Sequence, residues 1–231
     1  LCWGVIGVEG FDFLIRDSAD LERLHALLDR GVRVFQPVYG RASVLGGSSE
    51  PHDDRGLSDL GRAFLQTLAD REGPRRLIDL AHLNPQSMSD ALDWFESDPA
   101  RWRRLIPVYS HGAPRHDGFV SPRGITPENL RRLRALGGWV GFSVGPPFFD
   151  SAESLRATIE EIASIPFEGG AGVEGMAIGT DFLGVDQTLP DLGNVEEVVA
   201  WVGSSFPSSV ADLLLFGNAH ALLTRMLSGL D

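Results

Sequence analysis

Two apolar spacings alternate along this chain. Short unbroken apolar runs, the mark of strands buried on both faces, are followed by stretches in which apolar residues return every three or four positions, the mark of amphipathic helices. Runs at residues 3–8, 32–38, 77–81, 105–109, 139–144 and 176–179 predict strands. Helical spacing at residues 20–30 places Leu21, Leu24, Leu27 and Leu28 on one stripe, and at 58–72 it turns Leu60, Phe64 and Leu68 inward. Further helices are predicted at 85–96, from Thr126 onward, at 151–165 and at 219–227, with shorter helical or mixed pieces at 195–202 and 210–215. Ser58 and Thr126 stand at N-cap positions, Pro127 follows at the first helical position, and Glu128 lies near the positive end of that helix. A Gly-, Ser- and Asp-rich loop fills residues 40–56.

Strict alternation of strand and helix predicts a parallel sheet covered by helices, with six clear units and a weaker seventh. An open doubly wound sheet and a (β/α)8 TIM barrel both satisfy it. Glu9, His82, His111 and Asp181 each sit at or just after the C-terminal end of a different predicted strand. A barrel gathers those ends, whereas an open sheet spreads most of them apart. The expected fold is therefore an α/β barrel, with residues 1–231 as a single domain.

Composition narrows the chemistry. The 231 residues are 43% hydrophobic and carry a net charge of -12, which disfavours nucleic acid and anionic lipid as partners. All 20 basic residues are arginine, so Schiff-base, pyridoxal-phosphate and Walker lysines are excluded. Cys2 is the one cysteine, which leaves histidine and carboxylate as the metal-holding residue types. No unbroken apolar run is long enough to span a membrane. The chain starts at Leu1 without Met, so an upstream targeting segment is compatible with it, and the compartment stays open with the cytoplasm favoured.

Two histidines end consecutive strands, in Leu77-Ile78-Asp79-Leu80-Ala81-His82 and Ile106-Pro107-Val108-Tyr109-Ser110-His111. A single strand-end histidine is ordinarily a hydrogen-bonder, but neighbouring strands lie about 4.8 Å apart, so two such imidazoles can reach one ion. Glu9, flanked by Gly7 and Gly10, reads either as an exposed strand-end carboxylate or as a bridge between two cations. Asp181 reads as a turn aspartate or as a base near a metal, and Arg123 as a surface residue or a fork for a substrate carboxylate. His25, His116 and His220 read as structural or solvated, and His52 lies in the polar loop, from which it could enter a site from above.

The ordered segments Gly31-Val32-Arg33, Gly56-Leu57-Ser58-Asp59-Leu60-Gly61-Arg62, Leu77 to His82, Tyr109-Ser110-His111, Ser121-Pro122-Arg123-Gly124-Ile125, Gly179-Thr180-Asp181-Phe182 and Gly217-Asn218 resemble the membrane-dipeptidase family over nearly the whole chain. The resemblance implies a metal-dependent hydrolase barrel with two zinc ions that cleaves the amide bond of dipeptides by a metal-activated water. It implies Glu9 as bridging carboxylate, His82 and His111 as ligands of the second zinc, Arg123 as the grip on the dipeptide carboxylate, and Asp181 as the aspartate near the attacking water and substrate amine. Three departures accompany it. The family's opening His-x-Asp pair has no counterpart after Leu1, which implies an N-terminally incomplete barrel and one zinc or none in this chain. Tyr39 stands where the family carries a substrate-contacting histidine, and a Trp- and Arg-rich insertion surrounds residues 101–104. A non-catalytic or degenerate relative and another metal-dependent amidohydrolase are the alternatives. A homodimer is an open expectation.

Overall fold

In a computed structural model, residues 4–116, 119–168, 170 and 172–227 are described. Trp3, where the first expected strand begins, and Cys2 lie outside them. The chain divides into two compact units, one running to Val108 and rejoined from Arg225, the other Tyr109–Thr224.

The first unit contains β1 (Ile6–Glu9), α1 (Glu22–Asp29), β2 (Val32–Gln36), α2 (Asp59–Asp70), β3 (Arg76–Asp79), α3 (Pro85–Glu96) and β4 (Leu105–Tyr109), whose last residue begins the second unit. Neighbouring strands pair in parallel, with Glu9 opposite Gln36 and Asp79 opposite Val108. Helices α2 and α3 start where a side chain satisfies an early N–H: Ser58 accepts from the amide of Gly61, and Asn84, just before Pro85, accepts from that of Ser87. Phe11, Phe35 and Phe64 are fully buried, and the Phe11 ring lies 5.2 Å from each of the other two. That cluster fastens the turn after β1 to β2 and α2. Leu60 differs from expectation. It is half-buried, and Leu65 takes the inward position beside Phe64 and Leu68.

The second unit contains α4 (Pro127–Ala135), β5 (Trp139–Phe142), α5 (Ala152–Ile162), β6 (Met176–Ile178), α6 (Val195–Ser205), α7 (Ser208–Asp212), a π-helical stretch at Leu213–Gly217, and α8 (Asn218–Leu227), which crosses back into the first unit at Arg225. β5 and β6 are parallel. Arg134 is wholly buried and donates to the carbonyls of Ile165, Gly172 and Glu174, and burial draws its pKa down to about 10. Asn218 donates to the carbonyls of Val173 and Met176, fixing the start of α8 against β6. The weaker seventh unit contributes helices but, among the described residues, no strand after β6. Within the first unit the strands follow chain order, β1-β2-β3-β4, within the second β5 lies beside β6, and all described pairs are parallel, as an α/β alternation requires.

Candidate metal centre

Glu9 is the last residue of β1, and its side chain is about half exposed, at 51%. The chain turns directly after it through Gly10, at φ 76°, where a Cβ would stand 2.8 Å from that of Tyr39. Only glycine allows this close, left-handed turn, so the sequence Glu-Gly sets the strand end.

His82 follows β3 and is itself left-handed, at φ 66°. A histidine there is strained by about 1–3 kcal/mol, a cost met only when surrounding contacts fix the backbone. The loop at residues 40–56 supplies them. Ser49 donates its amide to the His82 carbonyl at 2.7 Å, and Asn84 donates its own to the Gly47 carbonyl at 3.1 Å. The Asn84 carboxamide reaches the carbonyls of Asp53 and Arg55, and the Ser87 hydroxyl receives the Gly47 amide at 2.8 Å. His82 Nε2 then stands 3.4 Å from Glu9 Oε1. The Tyr39 ring is stacked on the imidazole, with centroids 4.5 Å apart.

The loop has its own electrostatic nucleus. Asp53 accepts from the Ser48 amide and hydroxyl and from the Arg55 guanidinium at 2.8 Å. The Arg55 side-chain hydrogen bonds hold the Asp53 carboxyl well below the usual carboxylate range, against desolvation that pushes it up. With the folded value depressed, the stabilisation is complete above the ordinary carboxylate pKa of about 3.9 and is lost as pH falls below it. Asp53→Ala is expected to cost on the order of 2–3 kcal/mol at neutral pH, less than a fully buried pair because Arg55 is half exposed. Chemical denaturation across pH checks this: the wild-type advantage should shrink below about pH 4. A constant difference down to pH 2 would contradict it.

In the second unit His111 follows β4. Its Nδ1 lies 2.8 Å from the Ser110 hydroxyl, and its Nε2 lies 4.0 Å from Asp181 Oδ2. With Nδ1 engaged by a hydroxyl, Nε2 is the nitrogen presented toward the carboxylate. Asp181, like His82, is left-handed, at φ 53°, and its carbonyl closes a turn by accepting from the Gly184 and Val185 amides. Arg123 is exposed, with its guanidinium 5.3 Å above the Phe148 ring. Within its unit, then, each set pairs an imidazole with a carboxylate: Glu9 with His82 beside Tyr39, and His111 with Asp181.

The remaining histidines lie elsewhere in their units. His52 is exposed, His116 stacks on Phe149 and His220 on Phe216, and His25 lines an open surface hollow with Asp70, Arg71 and Glu72. Ser110 and Asp12 are the residues whose part sequence reasoning missed. A hydroxyl adjacent to a histidine carries no pattern, and Asp12 acts through the Tyr39 and Gly40 amides, which are remote in sequence.

The family model described as Membrane dipeptidase (Peptidase family M19) matches residues 3–213. A Klebsiella pneumoniae protein described as an uncharacterized protein in the pqqA 5′ region is 28% identical over 227 residues, 92% of this chain and 76% of its own length. An uncharacterized dipeptidase of Schizosaccharomyces pombe is 25% identical over 236 residues, 98% of this chain and 50% of its own. Among solved structures, a metallo peptidase from Rhodobacter sphaeroides, liganded with a phosphinate mimic of the dipeptide L-Ala-D-Ala, has a TM-score of 0.74 at 22% identity. That match covers 96% of this chain and 63% of the Rhodobacter chain, and it shows a shared fold.

Proposed function

The chain belongs to the membrane dipeptidase family, peptidase family M19, and on that premise we propose that it serves to hydrolyse the amide bond of dipeptides at a centre held by Glu9, His82 and His111. Each of these three offers one ligand atom, a carboxylate oxygen or an imidazole nitrogen. That donor set suits a zinc-like divalent ion and has no soft thiolate. The observation that carries the reading is the meeting of Glu9 and His82 at 3.4 Å from the ends of two strands separated by β2.

A bound divalent metal supplies Lewis-acid polarisation of the scissile carbonyl and eases ionisation of water at neutral pH. The protein's own residues do the rest. Arg123 forks onto the dipeptide carboxylate and fixes its register. The Tyr39 hydroxyl is a donor for oxygen charge that develops on the carbonyl. Water oxygen bonds to the carbonyl carbon and the C–N bond breaks. Asp181 carries a proton from that water to the departing amine nitrogen.

A second reading, a metal-binding relative without turnover, draws on Tyr39, whose ring lies against His82 where the family resemblance puts a histidine. A panel of L,L- and L,D-dipeptides assayed with zinc-loaded protein separates the two. Release of free amino acids, abolished by a chelator and restored by zinc, is the expected result. Stoichiometric zinc without release of any amino acid supports the second reading.

A further inference from the structure

Beside Glu9 and His82 the first unit exposes apolar surface that its own packing does not use. Phe13 is 66% exposed and Tyr39 43%, and their rings lie 6.4 Å apart. Tyr39 is also the ring stacked on His82. Exposed single aromatics are common, but two adjoining ones, with one against a functional imidazole, form a contiguous apolar surface at the site.

The backbone beneath them is fixed rather than loose. Asp12 lies between Phe11 and Phe13 in the turn after β1, and Oδ2 accepts from the Tyr39 and Gly40 amides at 3.3 and 3.0 Å. Its Oδ1 is buried with no hydrogen-bond partner among the described residues. Phe11, the residue before it, is locked in the aromatic core. Asp12 thus ties the segment bearing Tyr39 to the turn bearing Phe13, and a carboxylate spends a buried oxygen to do so.

We propose that Phe13 and Tyr39 form a shelf that receives an apolar, preferably aromatic, side chain of the dipeptide, and that Asp12 is the positioning residue that holds the shelf against His82. This rests on the dipeptidase reading and specifies its substrate class. Aromatic side chains prefer offset or edge contacts with other rings, and one such contact corresponds to about 3–10-fold in affinity.

The test uses two non-hydrolysable phosphinate dipeptide mimics that differ only in a benzyl or a methyl side chain, titrated calorimetrically into the zinc-loaded protein. The wild type should bind the benzyl mimic about 3–10-fold more tightly. Phe13→Ser and Tyr39→Ser should each bring the two affinities together while methyl binding changes little in Phe13→Ser. Asp12→Ala should also erase the preference, and Asp12→Asn, which keeps an oxygen acceptor, should restore it. Loss of preference in Asp12→Ala without that rescue would reduce Asp12 to a general structural role and overturn its part. Equal binding of both mimics by the wild type, or a preference that survives in Phe13→Ser and Tyr39→Ser, overturns the shelf alone. Failure of both mimics to bind overturns the shelf together with the dipeptide site on which it rests.

Discussion

His82→Ala is expected to lower the zinc affinity of the protein by more than about 100-fold, with turnover falling in parallel. The figure is a lower bound, since loss of a partner that merely orients a ligand already costs about 10–100-fold. The structure makes the effect local. His82 is held by its backbone, through the Ser49 amide and the Asn84 turn, so its imidazole can be removed without releasing the loop. The Tyr39 ring would lose its stacking partner, which costs about 0.5–1.5 kcal/mol of stability and leaves the fold in place. His111→Ala should reproduce the loss of affinity. Equilibrium dialysis against a zinc buffer, with circular dichroism as the folding control, measures it. Retention of wild-type affinity in both variants would remove these residues as ligands.

Asp181→Asn is expected to lower kcat by about 10²–10⁴-fold while zinc content stays near that of the wild type. The substitution keeps shape and left-handed preference, which matters because Asp181 sits at φ 53°, where asparagine is also well tolerated. What it removes is the ability to accept and return a proton. If Asp181 instead only closes the turn through its carbonyl to Gly184 and Val185, the amide should serve as well and kcat should hold. Steady-state kinetics with a good dipeptide substrate distinguishes the two, and a change confined to KM would point to substrate orientation alone.

The elements that were legible in sequence were those with local punctuation. The helix Pro85–Glu96 begins where Asn84 and Pro85 place a cap and a fixed φ, and the strand Leu105–Tyr109 is an unbroken apolar run. Boundaries moved where side-chain hydrogen bonds, local or long-range, took over the backbone. The helix expected from residue 20 starts as a 3-10 turn, because Asp17 accepts from the Ala19 and Asp20 amides, and the α-helix follows at Glu22. The helix expected to reach residue 165 stops at Ile162, and the Ile165 carbonyl goes to the buried Arg134. The strand expected through Ala81 ends at Asp79, whose own carboxylate accepts the Ala81 amide.

For the site, residue types and strand-end positions were readable, since His82, His111 and Glu9 each close an apolar run. Their fine placement was not. The left-handed turn at His82 depends on a loop nucleated by Asp53 and Arg55, and the stacking of Tyr39 depends on Asp12, 27 positions earlier. Such long-range hydrogen bonds leave no periodic trace in a single sequence.

X-ray absorption at the zinc edge of the stoichiometrically loaded protein tests the central claim most directly. The expected shell contains nitrogen and oxygen only, with Zn–N at ~2.0–2.1 Å, carries the multiple-scattering signature of two imidazoles, and loses one of them in His82→Ala and one in His111→Ala. A wild-type shell without imidazole, or one unchanged in both variants, would contradict it.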